Sequence, residues 1–186
     1  MSFSAMSLQK NQPFIQTLIV TTIAIIVLGA FSMSIAAFME NLRFVKANNQ
    51  ILWLVSMVRS IAAQQKGFGQ NQGEDIWGDL IGAGQIDPSF SHANPWRGEV
   101  RAITVANMAM RIENDLPTHD CSRIALYFLG HQPSELGLMQ IEGQAVGDNT
   151  WLPIYPLSSG IGARHAAEIA CGRGTYARLA LIFRVR

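Results

Sequence analysis

The chain has 186 residues, enough for one ordinary domain with an appendage and short for two full domains. Charged residues make up 15% of it, below the usual quarter, and the formal net charge is +1. There is no basic block and no aromatic–basic interleaving of the kind that tracks phosphates, so no nucleic-acid partner is expected.

Residues 1–13 read as a leader or cytoplasmic segment. From Phe14 to Met39, "FIQTLIVTTIAIIVLGAFSMSIAAFM" runs without a charged residue. A helix needs about 20 apolar residues to cross the hydrocarbon core, so residues 14–39 predict a membrane-spanning helical segment. A cleaved signal peptide is the alternative, but its apolar core is usually about 7–15 residues. Lys10 on one flank is outnumbered by Arg43 and Lys46 on the other, so the positive-inside count does not favour an inside N-terminus and leaves orientation open.

Residues 40–66 continue without an early breaker, since no proline or glycine occurs between Glu40 and Gln65. Phe44, Ile51, Val55, Val58 and Ala62 recur at helical spacing, and Leu54 and Ile61 widen the same stripe. The segment therefore predicts an amphipathic half of one helix, terminated by "KGFGQNQG". A continuous helix from Phe14 to Gln65 would extend roughly 75–80 Å. The alternative is a break near Asn48 and Asn49 with an unrelated second helix.

Residues 73–186 change texture to short elements separated by turns, which predicts a globular α+β head. "EDIWGDLIGAGQI" predicts a short helix ending at Gly82 or Gly84, followed by a Pro-containing loop. "EVRAITV" and "MAMRIEN" alternate around "AN" and predict a hairpin. "LPTHDCSRIALYFLG" predicts a second short helix, with Thr118 or Asp120 as its cap. "LMQIEGQAV" and "TWLPIYPL" predict strands, the latter confined by its prolines to an edge or loop. "TYARLALIFRVR" closes an antiparallel sheet of about four or five strands. From the residues alone, Cys121 and Cys171 are either unpaired core thiols, the default in the cytosol, or a bridge formed in an oxidising compartment.

Four segments appear in a telling order: "NNQILWLVSMVRSIAAQQKGFG", "LIGAGQIDPSF…NPWRGEVRAI", "IENDLPTHDCSRIA" and "ACGRGTYARLALIFRVR". In that order they resemble the amphipathic half-helix, first-strand entry, cysteine-bearing helix start and final strand of the type IV pilins. The type IVb subgroup of toxin-coregulated and conjugative thin-pilus pilins is the most similar. The resemblance implies a long N-terminal helix packed on an antiparallel sheet with short helices. It also implies a Cys121–Cys171 disulfide outside the cytoplasm; closing a loop of this size contributes on the order of 4 kcal/mol. It further implies a filament core in which Gly29, Ala30, Ser32 and Ser34 allow close helix approach.

The expected partners are other copies of the chain or other pilins, the inner membrane and the pilus assembly machinery. The expected location is the inner membrane with the head in the periplasm, or an extracellular pilus. No catalysis, cofactor or metal is expected. The N-terminal stretch departs from the family pattern: in "AMSLQK", Ala5 stands where the family has glycine and Lys10 where it has glutamate. Atypical processing, a minor subunit and an anchored pilin-like binding domain that never polymerises all stay open.

The remaining signals are bland. His92, His119, His131 and His165 are scattered without metal-ligand spacing, and "GIGARH" reads as a loop. Trp53, Trp77, Trp96 and Trp151 read as core or interface anchors. Arg173, Arg178, Arg184 and Arg186 read as the solvated face of an edge strand, or as partners for Glu74, Asp75 and Asp79 of a neighbouring subunit.

Overall fold

The computed structural model describes residues 12–65, 73–82, 84, 86, 92–106, 108–131, 133–157 and 160–185. Residues 1–11 of the expected leader, residues 66–72 of the expected breaker, and Arg186 lie outside them, and Gln12 and Pro13 already belong to the first helix. Helix α1 runs from Gln12 to Gln65 without the break considered at Asn48 and Asn49. The chain forms two compact units, Met1–Leu42 and Arg43–Arg186, and the boundary falls inside α1.

In the first unit every described side chain from Thr17 onward is exposed. In the second, α1 buries Ala47, Ile51, Leu54, Val55, Val58, Ile61 and Ala62, which is the predicted stripe extended by Ala47. The expected stripe residue Phe44 is only partly buried and packs edge-on against Tyr127 at 5.8 Å. Asn48, a polar residue, is buried on the same face.

The sheet has strands β1 (Val100–Ala106), β2 (Ala109–Pro117), β3 (Leu138–Ala145), β4 (Leu152–Tyr155) and β5 (Tyr176–Arg184). Their spatial order is β1-β2-β5-β3-β4 and every pairing is antiparallel. Alternation sorts the strand residues into two faces. Met110, Ile112 and Leu116 of β2 and Leu179, Leu181 and Phe183 of β5 join the core cluster together with the α1 stripe. The opposite face carries linked charges. Arg111 bonds Glu113 at 2.8 Å and Glu142 at 2.6 Å, and Arg178 bonds Asp115 at 2.8 Å. The Arg111 guanidinium also lies 4.1 Å over the Trp151 ring.

Three short helices complete the head: α2 (Trp77–Gly82), α3 (Thr118–Gly130) and α4 (Ala163–Cys171). Asp75 precedes α2, and its Oδ1 accepts the Trp77 N–H at 3.1 Å. Burial pushes the Asp75 carboxyl above its ordinary value, opposed by that hydrogen bond and by nearby positive charge. Trp77 itself is buried, donates Nε1–H to the Val100 carbonyl at 3.0 Å, and stacks on His92 at 4.4 Å.

The "NPWRG" stretch is organised by Asn94. Its Oδ1 accepts the Trp96 and Gly98 N–H groups, both at 2.9 Å, and its Nδ2 donates to buried Asn114 at 2.7 Å. The turn holds Arg97 at φ +67°, a left-handed conformation that a non-glycine residue adopts only when its surroundings enforce it. Just beyond, a hydrogen bond from Arg101 keeps the Glu99 carboxyl below its ordinary value.

Three expectations are corrected. The final strand is central, not an edge: β5 pairs with β2 on one side and β3 on the other. Arg178 is accordingly tied to Asp115 across the sheet. Neither Thr118 nor Asp120 caps α3; Pro117 occupies the cap position without a side-chain bond, and the Thr118 hydroxyl is used elsewhere. "GIGARH" is not simply a loop, because Gly162 caps α4, a helix the sequence reading lacked.

Candidate functional site

The apolar part of α1 is the first feature that water alone cannot accommodate. From Thr17 to Met39 its side chains are exposed and uncharged, with Ile25 at 70% and Met33 at 76% exposure. Among the described residues, the Thr17–Gln64 stretch is one helix long and apolar enough to cross a membrane by length and composition. Its hydroxyls suit an apolar medium. Thr21 and Thr22 donate to the Leu18 carbonyl at 2.9 and 2.7 Å, Ser32 to Leu28 at 2.8 Å, and Ser34 to Ala30 at 3.0 Å. Hydroxyls returned to their own helix need no water.

The four predicted small-residue positions do not form one stripe. At about 100° per residue, Gly29 and Ser32 lie on one side of the helix, and Ala30 and Ser34 on nearly the opposite side. A methyl group added at Gly29 would meet nothing within 4 Å. This glycine therefore answers to no neighbour within its own unit, although it weakens a helix by about 1 kcal/mol relative to alanine.

The second feature is built around the cysteines. Cys121 lies one turn into α3 and Cys171 ends α4; the two are joined with Cα atoms 6.0 Å apart, and both are fully buried. The bridge implied by the resemblance is therefore present, and it links two helices. Two further ties act at the same place. The Thr118 hydroxyl donates to the Gly174 carbonyl at 2.6 Å, and the Thr118 N–H to the Thr175 carbonyl at 3.2 Å.

Gly172 makes the exit from α4 possible. Its φ is +72°, and its N–H bonds the Glu168 and Ile169 carbonyls at 3.2 and 3.1 Å. A Cβ there would also come within 2.7 Å of the Ala145 side chain. Only glycine meets both demands.

Between α3 and α4, beside the bridge, runs a groove of about 640 Å³. Arg123 and His119 come from α3, Arg164 and His165 from the first turn of α4, and Arg173 from the turn after it. Leu126 and Ile169 supply apolar wall, and Glu168 is its acidic member. Arg123 is held in place, 3.4 Å from Asp120 and 4.4 Å over the Phe44 ring. No such geometry was foreseen from the sequence. The residues that seat α4, Ala167, Ala170 and Cys171, are small and buried on one face of a short helix, too weak a stripe to mark it in the sequence.

No family model, no curated protein and no solved structure matches this chain. Its functional reading rests on the architecture and on the residues themselves.

Proposed function

We propose that the chain is a type IVb-like pilin subunit, anchored through the apolar part of α1 and assembled by packing that helix against copies of itself or other pilins. The observation that carries this reading is a single helix with two characters. Its Thr17–Met39 part exposes apolar side chains all round, and its continuation past Arg43 forms one wall of an α+β core. A disulfide in the head supports an oxidising, extracytoplasmic location. The two small-residue faces suit a helix with neighbours on both sides, as in a filament core. The work done is mechanical: hydrophobic burial of α1 drives assembly, and the heads cover the bundle.

Shearing of cells that make the protein tests the reading. The subunit is expected in the released filament fraction, and its appearance there is expected to depend on the assembly ATPase. Complete retention in the membrane pellet refutes assembly and leaves a tethered, non-polymerising domain.

A further inference from the structure

We propose that the groove between α3 and α4 is a binding site for a small ligand carrying two or more phosphate or carboxylate groups. Three arginines, Arg123, Arg164 and Arg173, reach it from three different segments, and Glu168 is the acid among the residues lining it. Among the described residues, no carboxylate pairs with Arg164 or Arg173. This contrasts with the outer sheet face, where Arg111 and Arg178 are each committed to carboxylates. It also contrasts with a second cavity of about 770 Å³, whose Arg59 is bonded to the Leu136 and Arg184 carbonyls.

The groove is held in shape before any ligand arrives. The disulfide and both Thr118 bonds lock the start of α3 to the end of α4, and Phe44 and Asp120 hold the Arg123 guanidinium. Arginine presents a planar fork of donors that matches a carboxylate or phosphate two bonds at a time. Arg123, held in this way, loses less freedom on binding. The volume lies within the usual range of small-molecule sites.

The ring side chains lining the groove are those of His119 and His165. Recognition rests on oxyanions, with Leu126 and Ile169 covering a short apolar spacer between them. This inference is independent of whether the chain polymerises.

Calorimetric titration of the full chain in neutral-detergent micelles at low salt tests it, with pyrophosphate and citrate as probes. The two probes distinguish a phosphate-bearing from a carboxylate-bearing source, and saturable binding of either supports the site. Arg164→Ala with Arg173→Ala is expected to weaken binding about tenfold or more. Exposed Glu168→Gln is expected to strengthen it several-fold by removing like charge. Arg164→Lys with Arg173→Lys keeps the charge but loses the fork, and is expected to fall between parent and alanine variant. An intact disulfide by non-reducing peptide mapping controls for folding. The proposal is overturned if neither probe binds the parent at millimolar concentration, or if Glu168→Gln and the arginine variants bind like the parent.

Discussion

Removing the Cys121–Cys171 bridge by replacing both residues with alanine isolates the largest single tie in the head. The bridge closes a loop of 50 residues. In the chain-entropy treatment, closing a loop of that length removes about 4 kcal/mol of freedom from the unfolded chain. The Thr118 bonds to Gly174 and Thr175 survive the change, but each is worth only about 0.5–1.5 kcal/mol net, so they cannot replace it. The expected loss is therefore about 4 kcal/mol, equivalent to about 10–15 °C in the melting temperature of a head this size. Denaturant titration of the full chain in micelles, followed by the fluorescence of Trp53, Trp77 and Trp96, reads the loss. Because both cysteines are fully buried, reductant should act on the parent only as the head opens. A double variant within 1 kcal/mol of the parent would falsify the claim that the bridge is the main constraint between α3 and α4.

Other outcomes follow from single contacts. A Cβ at Gly143 would come within 2.8–2.9 Å of the Ala170 backbone and side chain, so Gly143→Ala is expected to push α4 off β3 and cost about 1–3 kcal/mol in the same titration. Burial raises the Asp75 carboxyl above its unfolded value, so its stabilising contribution is complete at low pH and is lost as pH rises through the folded value. Asp75→Asn, which keeps an acceptor for the Trp77 N–H, should gain on the parent as pH climbs from the ordinary aspartate range toward neutrality; a gap that narrows instead contradicts the burial argument. Ile26 lies near the middle of the apolar segment, and Ile26→Arg should cost about 3–4 kcal/mol of insertion free energy there. Alkaline carbonate extraction should then release much of the variant, and full retention would contradict a spanning α1.

Much of the architecture was legible in the residues because it is locally encoded. The charge-free run to Met39, the stripe through Ile51, Val55 and Val58, and the alternation around the "AN" turn each repeat at the period of the element they form. Helix α4, between Gly162 and Gly172, was not legible in the same way. Its buried face is made of Ala167, Ala170 and Cys171, residues too small to mark a stripe against the polar Arg164, His165 and Glu168 around them. Capping misled for a related reason. Thr118 has the right chemistry for a cap, but the tertiary fold starts the helix at Thr118 itself with Pro117 in the cap position, and the Thr118 hydroxyl donates to the Gly174 carbonyl 56 positions away in the chain.

The sequence by itself determined that an apolar helix passes into an amphipathic one and that an α+β head follows, because periodicity and charge depend only on near neighbours. Only the tertiary structure decided that β5 enters the middle of the sheet, that the two cysteines join helix to helix, and that Arg123 of α3 faces the same groove as Arg164 and Arg173 at the two ends of α4. Strand order and groove lining depend on which distant segments share a core, and no local pattern records that choice.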